Sequence, residues 1–120
     1  ARLPSEIEWE HAAQSLQIEG NFVQTQLFHP APAEPTAGSQ LSQMFGDVWE
    51  WTRSPYSPYH GFKSASGAVG EYNGKFMSSQ MVLRGGSCVS SSDHLRSTYR
   101  NFFYPHSRWQ FMGVRLARDV

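Results

Sequence analysis

The segment from Arg96 to Phe103 holds the densest group of side chains that could bind a small molecule. It contains two arginines, the amide of Asn101 and the adjacent rings of Phe102 and Phe103. Arginine and asparagine can donate hydrogen bonds to a carboxylate, and an aromatic face attracts a quaternary ammonium group. A structural alternative stays open, in which the rings belong to the core and the arginines form ion pairs within the protein.

The carboxylates of Asp47 and Glu50 are the candidates for a hard cation such as calcium, together with nearby carbonyl groups. In the alternative interpretation Asp47 caps a turn and Glu50 pairs with an arginine. A transition-metal site held by these 120 residues alone is not indicated, because no two histidines have the spacing of a helical metal motif and no cysteine pair exists.

Cys88 is the single cysteine, so no internal disulfide can form, and this favours a reducing, cytosolic setting. A reactive thiol needs a nearby base or a positive environment, and Arg84 and His94 are close to it in sequence. The alternative is a buried, inert side chain, and this is the interpretation that the sequence favours.

Composition limits the kind of partner. Lys plus Arg and Asp plus Glu number ten each, and this balance argues against bulk electrostatic binding to nucleic acid or to an anionic membrane. No apolar run approaches the roughly 20 residues that span a bilayer. The length fits one small domain, and the many Gly, Pro and aromatic residues predict an α+β fold with few regular elements.

The elements that hold these side chains are predicted to be short. Ser5 and Glu8 have the spacing of a capping box, which predicts a helix from Glu6 to about Gln14 with Ile7 and Trp9 on its apolar side. The prolines of Ser54–Tyr59 exclude a regular helix or a central strand. Strands are predicted at Asn21–Thr25, Met81–Arg84, Arg96–Phe103 and Gly113–Arg118, the second ending at the Gly85-Gly86 break.

Four stretches, in order along the chain, resemble the sequence boxes of the formylglycine-generating-enzyme superfamily. They are R-L-P-S-E-I-E-W-E-H-A-A at 2–13, G-D-V-W-E-W at 46–51, R-G-G-S at 84–87 and G-V-R-L-A-R at 113–118. The resemblance implies a C-type-lectin-like fold. It also implies that the chain is the C-terminal portion of such a domain, since the superfamily fold normally begins upstream of the first box.

Two branches of the superfamily compete for this sequence. The copper-binding formylglycine-generating oxidases place cysteines where this chain has Ser90 and Leu95, so that activity is not expected. The segments 67–77, 80–88, 98–103 and 108–111 instead resemble the iron-dependent sulfoxide synthases of ergothioneine biosynthesis (the EgtB type). That branch uses Fe(II) and O2 to join a thiol to N-trimethylhistidine as a sulfoxide.

The resemblance implies that the iron ligands lie outside this chain. In the family three histidines of an N-terminal, DinB-like helical domain hold the iron, and the lectin-like domain supplies a wall of the substrate pocket. The partner implied is therefore that domain in the same protein or on a split chain. Substrates would be N-trimethylhistidine, a thiol and O2, and the setting would be cytoplasmic.

The resemblance also assigns roles to single residues. Asn101 and Phe102 occupy positions that contact N-trimethylhistidine, with Arg100 or Arg96 adding positive field. Phe103 replaces an aspartate that helps bind the amino group of γ-glutamylcysteine, so we expect free cysteine, or another sulfur donor, to be preferred. Tyr72 or Tyr99 is a candidate outer-sphere proton or electron donor.

Other functions remain open at this point. A lectin-like ligand-binding module would need no iron, and a pseudoenzyme or regulatory subunit of a split synthase would act only with its partner. A relative that uses a selenium donor would share much of the same pattern.

Overall fold

The computed structural model describes residues 1–34, 38, 41–59 and 79–120. Among these residues one four-stranded mixed sheet forms the centre, with one α-helix packed against it, as the α+β prediction requires. The strands are β1 (Trp49–Pro55), β2 (Met81–Arg84), β3 (Asn101–Phe103) and β4 (Met112–Val114), in the order β3-β2-β1-β4. Strand β2 pairs antiparallel with β1 and β3, whereas β4 runs parallel to β1.

Helix α1 (Glu6–Ala13) forms where the capping box predicts it. The Ser5 hydroxyl accepts a hydrogen bond from the Glu8 N–H, and the Glu8 carboxylate accepts one from the Ser5 N–H. One part of the prediction is wrong, because Ile7 is 77% exposed while Glu6 is 8% exposed. The buried face of the helix therefore includes the carboxylate of Glu6 and not the apolar side chain of Ile7.

Strand β1 was not expected from the prolines, yet it lies at the centre of the sheet. Pro55 is its last residue, and the pairing with β2 is irregular between Trp51 and Pro55. Proline is tolerated there because a strand end and an irregular register do not need its missing N–H. The exclusion of a central strand is thus wrong for residues 54 and 55.

The other strand predictions hold only in part. Met81–Arg84 is confirmed, but Asn21–Thr25 forms a 3₁₀ turn at Val23–Thr25 and only a single bridge from Asn21 to Gly46. The predicted Arg96–Phe103 strand is reduced to the three residues of β3. The closing strand ends at Val114, and beyond it Ala117 pairs alone with Arg2.

The buried core gathers aromatic and aliphatic side chains from the helix, the strands and the loops between them. Its members are Trp9, Ala13, Phe22, Met44, Phe45, Trp49, Leu83 and Leu95. Close backbone packing depends on Gly85, which has φ +99° and whose added Cβ would lie 2.5 Å from the Met44 carbonyl oxygen. The Gly85-Gly86 break therefore serves both a left-handed turn and a close approach of two chain segments.

Within the part of the chain that the structure describes, no helix has both the length and the apolar character needed to cross a lipid bilayer.

Candidate functional site

Backbone alternation divides the predicted binding segment between the two faces of the sheet. In the register of β2 and β3, Asn101 lies opposite Leu83 and Phe102 lies opposite Val82. Successive side chains of a strand point to opposite faces. Arg84, which shares a face with Val82, binds Glu6 and Glu10 of the helix, so Phe102 lies on the face that meets α1 (the α1 face). Asn101 lies on the other face with Phe103.

Arg100 forms an internal ion pair, the arrangement that the structural alternative names for the arginines of this segment. Its Nη2 and Nε donate to the two carboxylate oxygens of Glu6 at 2.6 and 2.9 Å. Its guanidinium carbon lies 4.7 and 4.2 Å from the ring centroids of Tyr56 and Tyr59. With its charge paired and its side chain only 13% exposed, Arg100 is less accessible to a ligand carboxylate than the exposed Arg96.

The same carboxylate of Glu6 also binds a second, fully buried guanidinium. Arg84 Nη2 donates to Glu6 at 2.7 Å and to Glu10 at 2.9 Å, while Arg84 Nη1 donates to the Ser97 carbonyl at 2.7 Å. The Arg84 side chain has no exposed surface. A buried charge of this kind is tolerated only when it is paired and hydrogen-bonded.

Asn101 and Phe102 are held in place by their neighbours. Asn101 Oδ1 accepts a hydrogen bond from the Phe102 N–H at 2.9 Å, and no described residue accepts one from Asn101 Nδ2. The Phe102 ring stacks on Tyr56 with 4.2 Å between centroids and 9° between planes. The amide nitrogen of Asn101 is thus a donor available to a ligand.

Phe103 and Arg96 contact other aromatic rings. The Phe103 ring meets Trp109 edge to face at 5.0 Å. Arg96 donates from Nε to the Thr98 hydroxyl at 3.0 Å and lies over the Tyr99 ring at 5.7 Å. The exposed Arg96 has no carboxylate partner among residues 1–34, 38, 41–59 and 79–120, so its charge remains available to solvent or a ligand.

Tyr99 borders a cavity of about 300 Å³. Its ring contacts Trp49 and His94, with centroid distances of 5.9 and 5.6 Å. Ser90 and Leu95, the two positions where the copper-binding branch is expected to carry cysteines, line this same cavity. Tyr72, the other candidate donor, lies outside the described residues.

Asp47 and Glu50, the candidate calcium ligands, both accept hydrogen bonds from protein donors. Asp47 accepts hydrogen bonds from the side chains of Asn21 and Gln43 and from the Ala31 N–H, at 2.9 to 3.0 Å. Glu50 accepts from Trp9 Nε1 at 2.7 Å and from Arg115. The Glu50–Arg115 pair is the one that the structural alternative predicts, whereas Asp47 joins three loop segments and does not cap a turn of its own.

Metal-ligating groups do not cluster in the part of the chain that is described, where no three His, Cys, Asp or Glu side chains lie close enough to hold an ion. Cys88 is buried, and burial together with the nearby Asp47 charge raises the pKa of its thiol. A raised pKa disfavours the thiolate, which agrees with the inert alternative.

Sequence reasoning missed Glu6, Tyr56 and Tyr59 as parts of this region. A signal for one of them was present, because Glu6 and Glu10 are four residues apart and lie on one face of a helix. Two carboxylates on one helix face, with Glu10 next to the buried Trp9, indicate a binding site for an arginine. No comparable local signal links either tyrosine to Arg100.

Comparison with known proteins agrees with this architecture. Residues 18–120 match the model of the sulfatase-modifying factor enzyme 1-like domain. The chain is 37% identical over 141 residues to a hercynine oxygenase of Mycobacterium tuberculosis and 38% identical over 143 residues to one of Mycolicibacterium thermoresistibile. Both alignments cover the whole chain but only 33% and 32% of those proteins, so the chain spans about a third of their length.

A third relative has a different name. A protein of Chlamydia trachomatis called serine/threonine-protein kinase Pkn1 is 31% identical over 132 residues, covering 99% of this chain and 21% of its own length. The family model covers most of the chain and includes the strands, the ion-paired Arg100 and Asn101. On this evidence the chain belongs to the sulfatase-modifying factor enzyme 1-like family.

Proposed function

We propose that this chain is the substrate-pocket part of an O2-dependent sulfoxide synthase that joins a thiol to N-trimethylhistidine in ergothioneine biosynthesis. The observation that carries the proposal is the 37–38% identity, over the whole chain, to proteins named hercynine oxygenase. The proposal includes a C-type-lectin-like fold and a cytoplasmic setting, both of which follow from the family resemblance.

The described residues do not fit a non-haem iron, since no three suitable ligands meet among them. We therefore assign Fe(II) to a DinB-like helical domain of the same protein, or to a split partner chain. The contribution of this chain is to bind and orient the organic substrate and to limit access of water to it.

Asn101 is the residue best placed to hold the substrate carboxylate. Its Oδ1 is used by the Phe102 N–H, which fixes the amide plane and leaves Nδ2 as a donor. The exposed charge of Arg96 adds positive field to the segment, a role that Arg100 does not share because Glu6 neutralises it. The Phe102 ring, stacked on Tyr56, lies on the α1 face, so in this proposal it meets the betaine of the same substrate around the open edge of β3, the edge strand of the sheet.

The thiol substrate in this proposal is cysteine. A carboxylate at position 103 would pair with the ammonium of γ-glutamylcysteine, but Phe103 is half-buried and packs against Trp109. A phenyl ring attracts an ammonium group much more weakly than a carboxylate does. Tyr99, on the wall of the 300 Å³ cavity, and Tyr72 remain candidates for transferring a proton.

Turnover by the full-length protein tests the proposal. With Fe(II), O2, N-trimethylhistidine and cysteine, the expected product has the mass of both organic substrates plus one oxygen atom minus two hydrogen atoms, the second oxygen leaving as water. Intact mass and iron content are measured on the same sample. A protein with bound iron that forms no such product with cysteine, γ-glutamylcysteine or a selenium donor would overturn the proposal.

A second candidate is a non-catalytic ligand-binding module. It is suggested by the relative named serine/threonine-protein kinase Pkn1, because the same kind of domain occurs there in a protein that is not named as an oxygenase. Binding of N-trimethylhistidine without turnover, in a protein that holds no iron, would support the module over the enzyme.

A further inference from the structure

We propose that Glu6 is a positioning residue for Asn101 and Phe102 and acts on them through Arg100. The inference rests on the proposed function, because it concerns the residues that would contact N-trimethylhistidine. Glu6 itself lies on helix α1, on the side of the sheet away from the Asn101 side chain, and touches no substrate in this proposal.

The first step is the contact between Glu6 and Arg100. Both carboxylate oxygens of Glu6 accept from Arg100, at 2.6 and 2.9 Å, in the bidentate geometry that fixes a guanidinium in orientation as well as distance. Arg100 is the residue before Asn101. Fixing its side chain therefore fixes the point at which the backbone enters β3.

The second step leads from Arg100 to Phe102 through an aromatic stack. The guanidinium lies between Tyr56 and Tyr59, and the Phe102 ring stacks on Tyr56 at 4.2 Å. Arg100 also donates to the Ser57 carbonyl at 3.0 Å. The ring that would face the betaine thus rests on a tyrosine that the Glu6–Arg100 pair holds in place.

Arg84 and Arg100 depend on Glu6 to different extents, so removing the Glu6 charge affects Arg100 more than it affects the buried core. Arg84 keeps Glu10 and the Ser97 carbonyl if Glu6 loses its charge. Arg100 loses its one carboxylate partner among the residues that the structure describes. Loss of the Glu6 charge therefore frees Arg100, which precedes β3, and leaves Arg84 paired.

The test compares Glu6→Gln with Glu10→Gln in the full-length protein. Glu10 lies on the same helix and contacts Arg84 but not Arg100, so it is a matched control. We expect Glu6→Gln to raise KM for N-trimethylhistidine about tenfold with kcat within about threefold, because one charge-assisted contact is lost. Glu10→Gln is expected to leave KM within about twofold. Equal KM values for the two variants would overturn the inference.

Arg100→Lys tests the same contact from the other side if Glu6→Gln does not fold. Lysine keeps the positive charge but cannot form the bidentate pair or cover both tyrosine rings. We expect it, too, to raise KM about tenfold. A KM within about twofold of the unmodified protein would contradict the positioning role.

Hydrogen exchange separates failure of this inference from failure of the proposed function. We expect the amides of residues 100–103 to exchange about tenfold faster in Glu6→Gln, or in Arg100→Lys if that variant is used, than in Glu10→Gln. If the unmodified protein neither binds nor converts N-trimethylhistidine, the proposed function fails, and the positioning role of Glu6 is then tested by hydrogen exchange alone. Unchanged exchange rates at residues 100–103 would overturn the positioning role.

Discussion

The two faces of the sheet differ in the charged side chains that they bury and in the apolar side chains that they leave exposed. On the α1 face, Glu6, Glu50 and Arg84 are each less than 10% exposed and hydrogen-bonded to partners from distant parts of the chain. On the other face, Val114 is 65% exposed, and Trp109, which packs on Phe103, is 71% exposed. Residue type alone therefore does not decide burial in this protein.

What decides it is the covering element that each face has. Helix α1 supplies the α1 face with two carboxylates and the N–H of Trp9, which match the guanidinium and carboxylate groups of the strands. On the opposite face Trp51, Met81, Pro105 and Val114 border an open apolar hollow of about 420 Å³. The α1 face depends on pairing of charges, whereas the opposite face buries Leu83 and Trp49 in the core and leaves the apolar side chains at its margin, such as Val114, exposed.

The largest expected effect is on the α1 face. Glu50→Ala would leave Trp9 Nε1 and the Arg115 guanidinium without their carboxylate, and removing one partner of a buried pair costs about 3–5 kcal/mol of unfolding free energy. Urea denaturation measures the change. The exposed Glu19→Ala is the control, expected within about 0.5 kcal/mol of the unmodified protein. A loss below about 1 kcal/mol for Glu50→Ala would contradict the comparison.

Two valines compare the faces with the same substitution. Val82, on the α1 face, is fully buried, and Val82→Thr places a hydroxyl there at a cost of about 1–3 kcal/mol. Val114→Thr, on the exposed face, is expected to change the unfolding free energy by no more than about 0.5 kcal/mol. Thermal unfolding of the pair gives the result, and equal losses would show that the two faces do not differ.

A charge introduced on the exposed face tests the proposed thiol preference. Phe103→Asp supplies a carboxylate for the ammonium of γ-glutamylcysteine, and we expect the ratio of kcat/KM for γ-glutamylcysteine over cysteine to rise about tenfold. Phe103→Asn is the control, since it has nearly the same size and no charge. A similar rise in the asparagine variant would mean that the smaller volume, not the charge, changes the preference.

The smallest expected effect concerns acid stability at the helix start. Hydrogen bonds from Arg2 and from the Ser5 N–H lower the pKa of Glu8 to about 2. Because the folded pKa lies below the ordinary value of 4.5, this stabilisation is complete above that value and is lost as the pH falls towards 2. Glu8→Gln keeps a capping acceptor but no charge, so it is expected to lose less stability than the unmodified protein between pH 5 and pH 2.

That acid effect is small because Glu8 is exposed and Arg2 is only half-buried, and salt is expected to weaken it further. Denaturation at low and high ionic strength is the measurement. The same acid-dependent loss in Glu8→Gln as in the unmodified protein would mean that other carboxylates produce it.

Local features of the fold could be predicted from the sequence, and distant pairings could not. The capping box of Ser5 and Glu8 acts over three residues and was sufficient to locate α1. The role of Arg100 depends on Glu6, which is 94 positions away in the sequence. No local pattern states which of several carboxylates an arginine will meet, so the structural alternative could be named but not chosen.

Two further misses have the same cause. Ile7 was predicted to face inward because it is apolar, but the buried face of α1 carries Glu6, Trp9 and Ala13, with Glu6 paired to Arg84 and Arg100, and Ile7 lies outside that face. Pro55 appeared to exclude a central strand, but the irregular register of β1 against β2 tolerates it at the strand end. In each case a tertiary contact outweighed a correct local preference.

The bridge between Arg2 and Ala117 has a consequence for the order in which the molecule folds. Its two hydrogen bonds, at 2.9 and 2.8 Å, join positions separated by nearly the whole sequence. The entropic cost of closing so long a loop falls only after the sheet has formed from the residues between Arg2 and Ala117. This bridge is therefore expected to form late and to open early, and the amide protons of Arg2 and Ala117 would report the final closure of the chain.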